Sequence, residues 1–166
     1  MKFGIFYLAL LLSGATLAQD SLMERVGIRV AKESPPSCET GHEGALAGGA
    51  VTILPGETIC LKVKVTGDFV TPVAVVDVAD PADTLILKFW QEPGTHDMFL
   101  TLHNPLNAFL TYKAFMLRPG NLQREYTTSC PVLSKRLGIE QWPHLVNELT
   151  LSDFASIPES KKIGCR

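Results

Sequence analysis

The chain contains 166 residues, the size of one ordinary domain, and 46% of them are hydrophobic. Its 15 Lys and Arg residues are nearly balanced by 17 Asp and Glu residues, and they form no basic run or stripe. Nucleic-acid-binding domains concentrate positive charge on one surface, so we expect no nucleic acid among the partners of this protein.

The N-terminus predicts a secretory signal peptide. One lysine precedes an apolar run at residues 3–12, and small residues lead to a polar sequence after Ala18. We expect cleavage after Ala18, with Ala15 as the alternative, which assigns residues 1–18 to the signal and residues 19–166 to one mature domain. The apolar run is shorter than a membrane-spanning helix requires. We therefore expect no membrane span after cleavage and a location in the periplasm or outside the cell.

All four cysteines lie in the mature part of the chain: Cys38, Cys60, Cys130 and Cys165. An even number behind a signal peptide predicts two disulfides, formed in an oxidising compartment. Three pairings are possible. Because Cys60 alternates with Lys62 and Lys64, we expect it to point away from the core, where a covering segment can reach it. We therefore favour pairing one of the first two cysteines with one of the last two.

Strand signals begin weakly and then become regular. Residues 25–30 form a candidate first strand, and residues 33–49 are rich in Gly and Pro, which predicts a loop. Further strands are predicted at 50–54, 58–66, 69–78, 84–91, 97–103 and 109–116. Turn residues such as Pro55-Gly56 separate them. Short strands at this spacing are typical of an all-β sandwich, with a strand-rich core at about 50–118.

The last two of these strands form a predicted hairpin with an Asn-Pro turn. Asn104 can bond its own backbone two residues on, and Pro105 presets φ for a turn. Residues 100–105, followed by residues 110–114, are similar to paired strands in immunoglobulin-like sandwiches. The resemblance implies a disulfide-tied, immunoglobulin-like β-sandwich. It carries no function with it, because such sandwiches have many unrelated roles.

Four aromatic side chains are predicted to point away from the core: Trp90, Phe99, Phe109 and Phe115. A solvated face would contain fewer aromatic residues, so we expect a cover, either a partner or the C-terminal segment at about 130–166. That segment contains Pro131, Gly138 and Pro143, which interrupt regular structure. We therefore predict an irregular C-terminal extension that packs on the sandwich, with residues 148–154 as a candidate last strand.

Sequence motifs for a nucleophile elbow, a phosphate loop, a dinucleotide site or a zinc protease do not occur. The four histidines lack metal-ligand spacing: His42, His96, His103 and His144. One alternative is a copper or other metal carrier that uses His96, Met98 and His103, since His and Met ligands suit copper. Alternation counts against it, because Met98 and His103 fall on opposite faces. Another alternative is a hydrolase whose carboxylates, or Ser129 with His103 or His144, meet only in space.

These observations favour an exported, non-enzymatic binding or accessory protein that needs no cofactor. Strands that are apolar on both sides present edges and patches to another protein. An inhibitor or immunity-type partner of an envelope protein is one specific form of this hypothesis.

Overall fold

The strands are defined by a computed structural model that describes residues 38, 42, 44–161 and 164–165. Ten strands and no helix occur in this part of the chain. The strands are β1 (Leu46–Ala47), β2 (Ala50–Ile53), β3 (Thr58–Thr66), β4 (Phe69–Val76), β5 (Thr84–Gln91), β6 (Met98–His103), β7 (Phe109–Leu117), β8 (Glu125–Thr127), β9 (Leu137–Trp142) and β10 (Glu148–Ile157). All six strands predicted between residues 50 and 116 are present, with ends shifted by no more than two residues.

Alternation along the strands builds one main hydrophobic core. In β5, for example, Leu85, Leu87 and Phe89 are fully buried. The inward residues of four other strands join the same cluster: Ile59, Leu61, Val63, Met98, Leu100, Leu102, Leu110, Tyr112, Ala114, Met116, Leu149, Leu151 and Phe154. Full burial of a side chain of this size contributes about 1.5–3 kcal/mol, so this cluster is the principal source of stability.

The strand pairs are antiparallel and join all ten strands into one continuous hydrogen-bonded sheet. The main path runs β1-β2-β10-β4-β3-β5-β6-β9, and β7 pairs with both β10 and β8. The predicted all-β class is thereby confirmed. The immunoglobulin-like sandwich stays a prediction, because the hydrogen-bonded ladders do not separate into two sheets.

The C-terminal segment is not the irregular extension that we expected, since it contributes β9 and β10 to the sheet. One edge of β10 pairs with β7, while the other pairs with β2 and, at Ala155, with Phe69 of β4. A bulge between Ser152 and Ala155, with Asp153 at φ 51°, accompanies the change of partner. The two prolines that suggested irregularity lie outside the strands, so they do not interrupt the pairing.

The connection between β6 and β7 is fixed by one buried side chain. Asn104 is fully buried, and its carboxamide oxygen accepts a hydrogen bond from the Leu106 backbone N–H at 2.9 Å, as the sequence predicted. Its NH2 group donates to the carbonyl oxygens of Ala108 at 2.8 Å and Val132 at 3.1 Å. This side chain therefore ties the turn to the segment that precedes β9.

The disulfides join cysteines that follow each other along the chain, Cys38 to Cys60 and Cys130 to Cys165. The predicted pairing of an early with a late cysteine is wrong. The expectation that Cys60 points away from the main core is confirmed, but the chain before β1, not the C-terminal tail, reaches it. There Cys60 is buried with Cys38 and Ala79 in a second, small cluster. Two disulfides indicate an oxidising, non-cytoplasmic compartment.

The predicted signal peptide and the candidate strand at residues 25–30 lie outside the described residues. Those that are described all belong to one compact unit, residues 34–166. The assignment of one mature domain to residues 19–166 stays a prediction. Among the described residues, no helix is long and apolar enough to cross a membrane.

Candidate functional site

The register of β5, β6 and β9 defines a surface that faces away from the main core, because directly opposed residues of antiparallel strands point to the same side. We call it the β5–β6–β9 outer face. Its three cross-strand rows are Ile86, His103 and Leu137; Lys88, Thr101 and Ile139; and Trp90, Phe99 and Gln141. Five of these nine side chains are apolar, which makes the surface a candidate site.

Two of the four aromatic residues predicted to point outward meet on this face. The rings of Trp90 and Phe99 stack with centroids 5.5 Å apart and planes 18° from parallel. The Lys88 ammonium lies 5.5 Å from the centroid of the Trp90 ring, a cation–π distance. Both aromatic side chains are half-buried. Neighbouring side chains on the same sheet therefore cover part of the aromatic surface.

The other two aromatic residues lie on the outward side of β7. Phe115 contacts Tyr126 of β8 edge to face, with centroids 5.6 Å apart, and Phe109 lies opposite Ile157 of β10. The structure thus divides the predicted group into two pairs, one on β5 and β6 and the other on β7. Neither β5 nor β6 is a hydrogen-bonded neighbour of β7. The role of the group as a partner or docking face stays a prediction, which we carry forward for the pair on the β5–β6–β9 outer face.

The most exposed part of the outer face is β9, whose hydrophobic pattern is inverted over residues 137–140. Leu137 and Ile139 point outward and are 55% and 63% exposed. The alternate, inward positions hold Gly138, Glu140 and Trp142. Among the described strands, β9 pairs with β6 alone. It is therefore an edge strand with two exposed aliphatic side chains, and another chain can add to an edge of this kind.

Close contacts on the inner side of β9 explain the inversion. A Cβ atom at Gly138 would lie 2.6 Å from Cγ2 of the buried Val132 side chain, so a larger residue does not fit. Glu140 accepts hydrogen bonds from the Cys130 backbone N–H at 2.6 Å and from the Tyr112 hydroxyl at 3.3 Å. The segment before β9 occupies the inner side of the strand, and the large aliphatic residues are left on the outer side.

The polar groups around Glu140 satisfy one another. Burial raises the pKa of the Glu140 carboxyl group, and the hydrogen bonds from Cys130 and Tyr112 partly offset this by lowering it. Burial also raises the pKa of the Tyr112 hydroxyl, and the charge of Glu140 adds to that effect, so Tyr112 stays protonated and donates. Ser129 donates its hydroxyl to the Tyr112 carbonyl at 2.7 Å. We interpret this group as a structural polar cluster.

The residues considered for a metal carrier are not brought together. Met98 is in the core and 1% exposed, whereas His103 is on the outer face at the far end of β6 from His96. β6 itself, from Met98 to His103, is about 17 Å long, given the rise of a β-strand per residue, and it lies between the two histidines. Across residues 38, 42, 44–161 and 164–165, no three His, Cys, Asp or Glu side chains form a group that could hold a metal ion.

The hydrolase alternative gains no support from Ser129. Its side chain is buried, and its hydroxyl donates to a backbone carbonyl rather than to a histidine. A serine nucleophile needs its hydroxyl hydrogen-bonded to a general base and open to substrate. Ser129 therefore contributes to the polar cluster.

His96 and His144 line an open depression formed by the β5–β6, β7–β8 and β9–β10 connections. Arg118 and Asn121 also line it, and both bond the Glu125 carboxylate, at 2.6 Å and 2.7 Å. Because the Arg118 guanidinium is already paired with Glu125, the depression offers a ligand two imidazole side chains and few other free polar groups. It is a weaker candidate than the β5–β6–β9 outer face.

One polar atom of the outer face lacks a partner. Nδ1 of His103 is buried and has no hydrogen-bond partner in the part of the chain that the structure describes. An unmet buried polar group costs about 1–3 kcal/mol. A donor or acceptor supplied from outside the described residues would therefore stabilise the face at this point.

The Cys38–Cys60 disulfide borders the same face. Cys60 lies opposite Ile86 in the β3–β5 ladder, and Ile86 packs against the small cluster that contains both cysteines. The row of Ile86, His103 and Leu137 thus continues into the disulfide.

Comparison with protein-family models, with curated proteins and with solved structures finds no match to this chain. The candidate site therefore rests on its own geometry. The sequence predicted outward positions for Trp90 and Phe99 but not for Leu137 and Ile139. The alternation of residues 137–142 was a usable signal for a strand. Periodicity alone, however, would assign its aliphatic residues to the core, whereas the structure places them on the outer side.

Proposed function

We propose that this chain is an exported, non-enzymatic accessory protein that binds another protein through the β5–β6–β9 outer face. The observation that carries the proposal is the outward position of Leu137 and Ile139 on an edge strand. The signal-peptide pattern at residues 1–18 supports export, and the two disulfides suit the periplasm or the extracellular space. An inhibitor or immunity-type partner of an envelope protein is the specific form that we favour.

The energetics of this face suit a protein partner. Full burial of a Leu or Ile side chain contributes about 1.5–3 kcal/mol. A partner that covers Leu137 and Ile139 therefore gains a substantial part of this free energy from each side chain. The stacked Trp90–Phe99 pair provides rigid aromatic contact area, which is common at the centre of protein interfaces. The outer edge of β9 adds backbone N–H and C=O groups to which a strand can pair.

Site-specific photocrosslinking in the native envelope tests the proposal. A photoreactive residue at position 139 should capture one protein, whereas the same residue at position 122 should not. Leu122 is the matched control because it is 99% exposed in the connection between β7 and β8 and belongs to none of the three strands of the outer face. Equal capture from both positions would show that the outer face has no particular role.

A pair of variants then connects capture to the face. Leu137→Lys with Ile139→Lys should lower recovery of the captured protein about tenfold or more, because two apolar contacts are replaced by charges. Leu122→Lys should leave recovery unchanged. Both variants should unfold at the same temperature as the wild type, since the altered side chains are exposed. Undiminished recovery with the double variant would contradict the proposal.

A further inference from the structure

We infer that the Cys130–Cys165 disulfide is a site of thiol–disulfide exchange, at which a dithiol attacks Sγ of Cys165 and opens the bond while the sheet stays folded. The Cys38–Cys60 disulfide is structural and closed to the same reagent. The inference uses no residue of the β5–β6–β9 outer face and does not depend on the proposed function. Three features of the described residues support it: the unequal exposure of the two bonds, the position of Cys165 in the fold and the separate anchoring of Cys130.

The two disulfides differ in exposure. Cys165 is exposed and Cys130 is half-buried, and an added Cβ at the neighbouring Gly164 would meet no described atom within 4 Å. Cys60, in contrast, is fully buried, and its partner Cys38 is buried as well. Because a thiolate has to reach a sulfur atom to exchange with it, only the Cys130–Cys165 bond is open to attack in the folded protein.

The surroundings of Cys60 keep it closed. Its side chain packs in the small cluster with Ala79, Val76 and Ile86. Its strand, β3, is hydrogen-bonded to β4 on one side and to β5 on the other, so the backbone is fixed at this point. Exposure of the Cys60 sulfur atom therefore requires the small cluster to open locally, a step that attack on Cys165 does not need.

Cys165 lies beyond the last strand, where no ladder holds it. β10 ends at Ile157, eight positions earlier, and among the described residues no strand follows it. The described residues in between include a turn, in which the Lys161 backbone N–H donates to the Pro158 carbonyl oxygen at 3.0 Å. Opening the disulfide therefore releases a short terminal segment and breaks no strand pairing.

Cys130, the other partner, is held in place without the disulfide. Its backbone N–H donates to the Glu140 carboxylate at 2.6 Å. Two positions later, Val132 exchanges both backbone hydrogen bonds with Leu110, at 2.8 Å and 2.9 Å, and its side chain is buried in the main core. These contacts are independent of the sulfur atoms, so this segment stays on the sheet after the bond is opened.

The exchange balances with a dithiol as the only co-reactant. One thiolate of the dithiol attacks Sγ of Cys165; a new S–S bond forms there, and Cys130 leaves as a thiolate that takes up a proton. The second thiolate of the reagent then attacks the reagent's own sulfur in this mixed disulfide and displaces Cys165, which also takes up a proton. The protein gains two electrons and two protons, and the dithiol that supplies them is oxidised to a disulfide.

Limited reduction of the folded mature protein tests the inference. Dithiothreitol is added without denaturant, samples are quenched with acid at intervals, the new thiols are alkylated, and peptide mapping identifies the labelled cysteines. Cys130 and Cys165 should be labelled together, and about tenfold or more faster than Cys38 and Cys60, because only their bond is exposed. In urea that unfolds the protein, this difference should disappear. Equal rates in the folded protein, or the same difference in urea, would overturn the inference.

The shape of the protein after the first bond opens is a second readout. The species with alkylated Cys130 and Cys165 should keep the circular dichroism spectrum of the oxidised protein, because no strand pairing depends on this bond. Loss of the spectrum would overturn the inference, since the exchange would then require or cause unfolding of the sheet.

A protein probe identifies the attacked sulfur atom. A thioredoxin whose second active-site cysteine is replaced by serine completes only the first step, so it should stay joined to Cys165. The variant with Cys130→Ala and Cys165→Ala is the matched control and should give no mixed disulfide. Capture at Cys130, capture at the other disulfide, or no capture at all would overturn the inference.

Discussion

At the scale of single residues, Glu140 attaches the segment that carries the Cys130–Cys165 disulfide to β9. Its carboxylate accepts the Cys130 backbone N–H at 2.6 Å, and burial raises its pKa above the ordinary value of 4.5. A carboxyl group whose pKa is higher in the folded than in the unfolded state stabilises the fold when it is protonated. This contribution is complete below the unfolded pKa and is lost as the pH rises through the folded pKa.

Glu140→Gln therefore changes how stability depends on pH. The glutamine keeps an acceptor for the Cys130 N–H but does not ionise, so the variant should gain stability relative to the wild type between about pH 4 and about pH 7. Urea unfolding at both pH values, with the disulfides intact, measures the difference. Glu92→Gln, in the exposed turn before β6, serves as the control and should show no such gain. A constant difference between Glu140→Gln and the wild type at all pH values would contradict the expected pH dependence.

At the scale of one strand, β9 depends on the absence of a side chain at Gly138. An added Cβ would lie 2.6 Å from a methyl group of Val132, a stiff β-branched residue that is 2% exposed. Gly138→Ala should therefore lower the free energy of unfolding by about 1–3 kcal/mol through overpacking. Chemical denaturation of the purified variant measures this loss.

A double-mutant cycle identifies the cause. In a Val132→Ala background the methyl groups are gone, so Gly138→Ala should cost less by about 1 kcal/mol or more. An unchanged cost would assign the effect of Gly138→Ala to the backbone of β9 instead of to the contact with Val132. Gly94→Ala is not a suitable control, because Gly94 has a positive φ and would be strained for a different reason.

The same strand shows why local pattern is an incomplete guide. Strands such as β5 and β6 were predicted closely, since their inward residues are apolar and their outward residues are mixed. In β9 two of the three inward positions are a glycine required by Val132 and a glutamate required by the Cys130 N–H. Both requirements come from the segment just before β9, which is close to the strand in sequence and in space. They act through packing and hydrogen bonding, which the periodicity of the sequence does not show.

At the scale of the whole molecule, the disulfides close two separate loops. The cysteines are 22 positions apart in the Cys38–Cys60 pair and 35 apart in the Cys130–Cys165 pair. In the chain-entropy account, loops of these lengths contribute about 3–4 kcal/mol each. Replacing either pair by alanines should lower the free energy of unfolding by an amount of this order, and urea unfolding under oxidising conditions measures it.

Peptide mapping without reduction checks the pairing directly. It should recover one disulfide-linked peptide pair from each loop, and single replacements such as Cys38→Ala should leave the Cys130–Cys165 bond in place. Recovery of a peptide that links Cys60 to Cys130 would contradict the structure.

The pairing and the sheet topology were the features least accessible from the sequence. The prediction that Cys60 faces away from the core followed from its alternation with Lys62 and Lys64, and it was confirmed. Which chain segment reaches Cys60 depends on the path of the loop before β1, and this path has no periodic signal. In the same way, residues 148–154 indicated a strand, but its place between β2 and β7 depends on contacts across the whole chain.

The two closed loops also determine how the molecule responds to mechanical tension. A pull applied before Cys38 and after Cys165 passes through the disulfides, from Cys38 to Cys60 and from Cys130 to Cys165, without loading the chain inside either loop. Between Cys38 and Cys165, only the stretch from Cys60 to Cys130 can then lengthen, up to a contour length of about 250 Å. β9 and β10 lie inside the second loop, so tension along the chain would extend the centre of the protein and leave the strand with the exposed aliphatic residues outside the line of force.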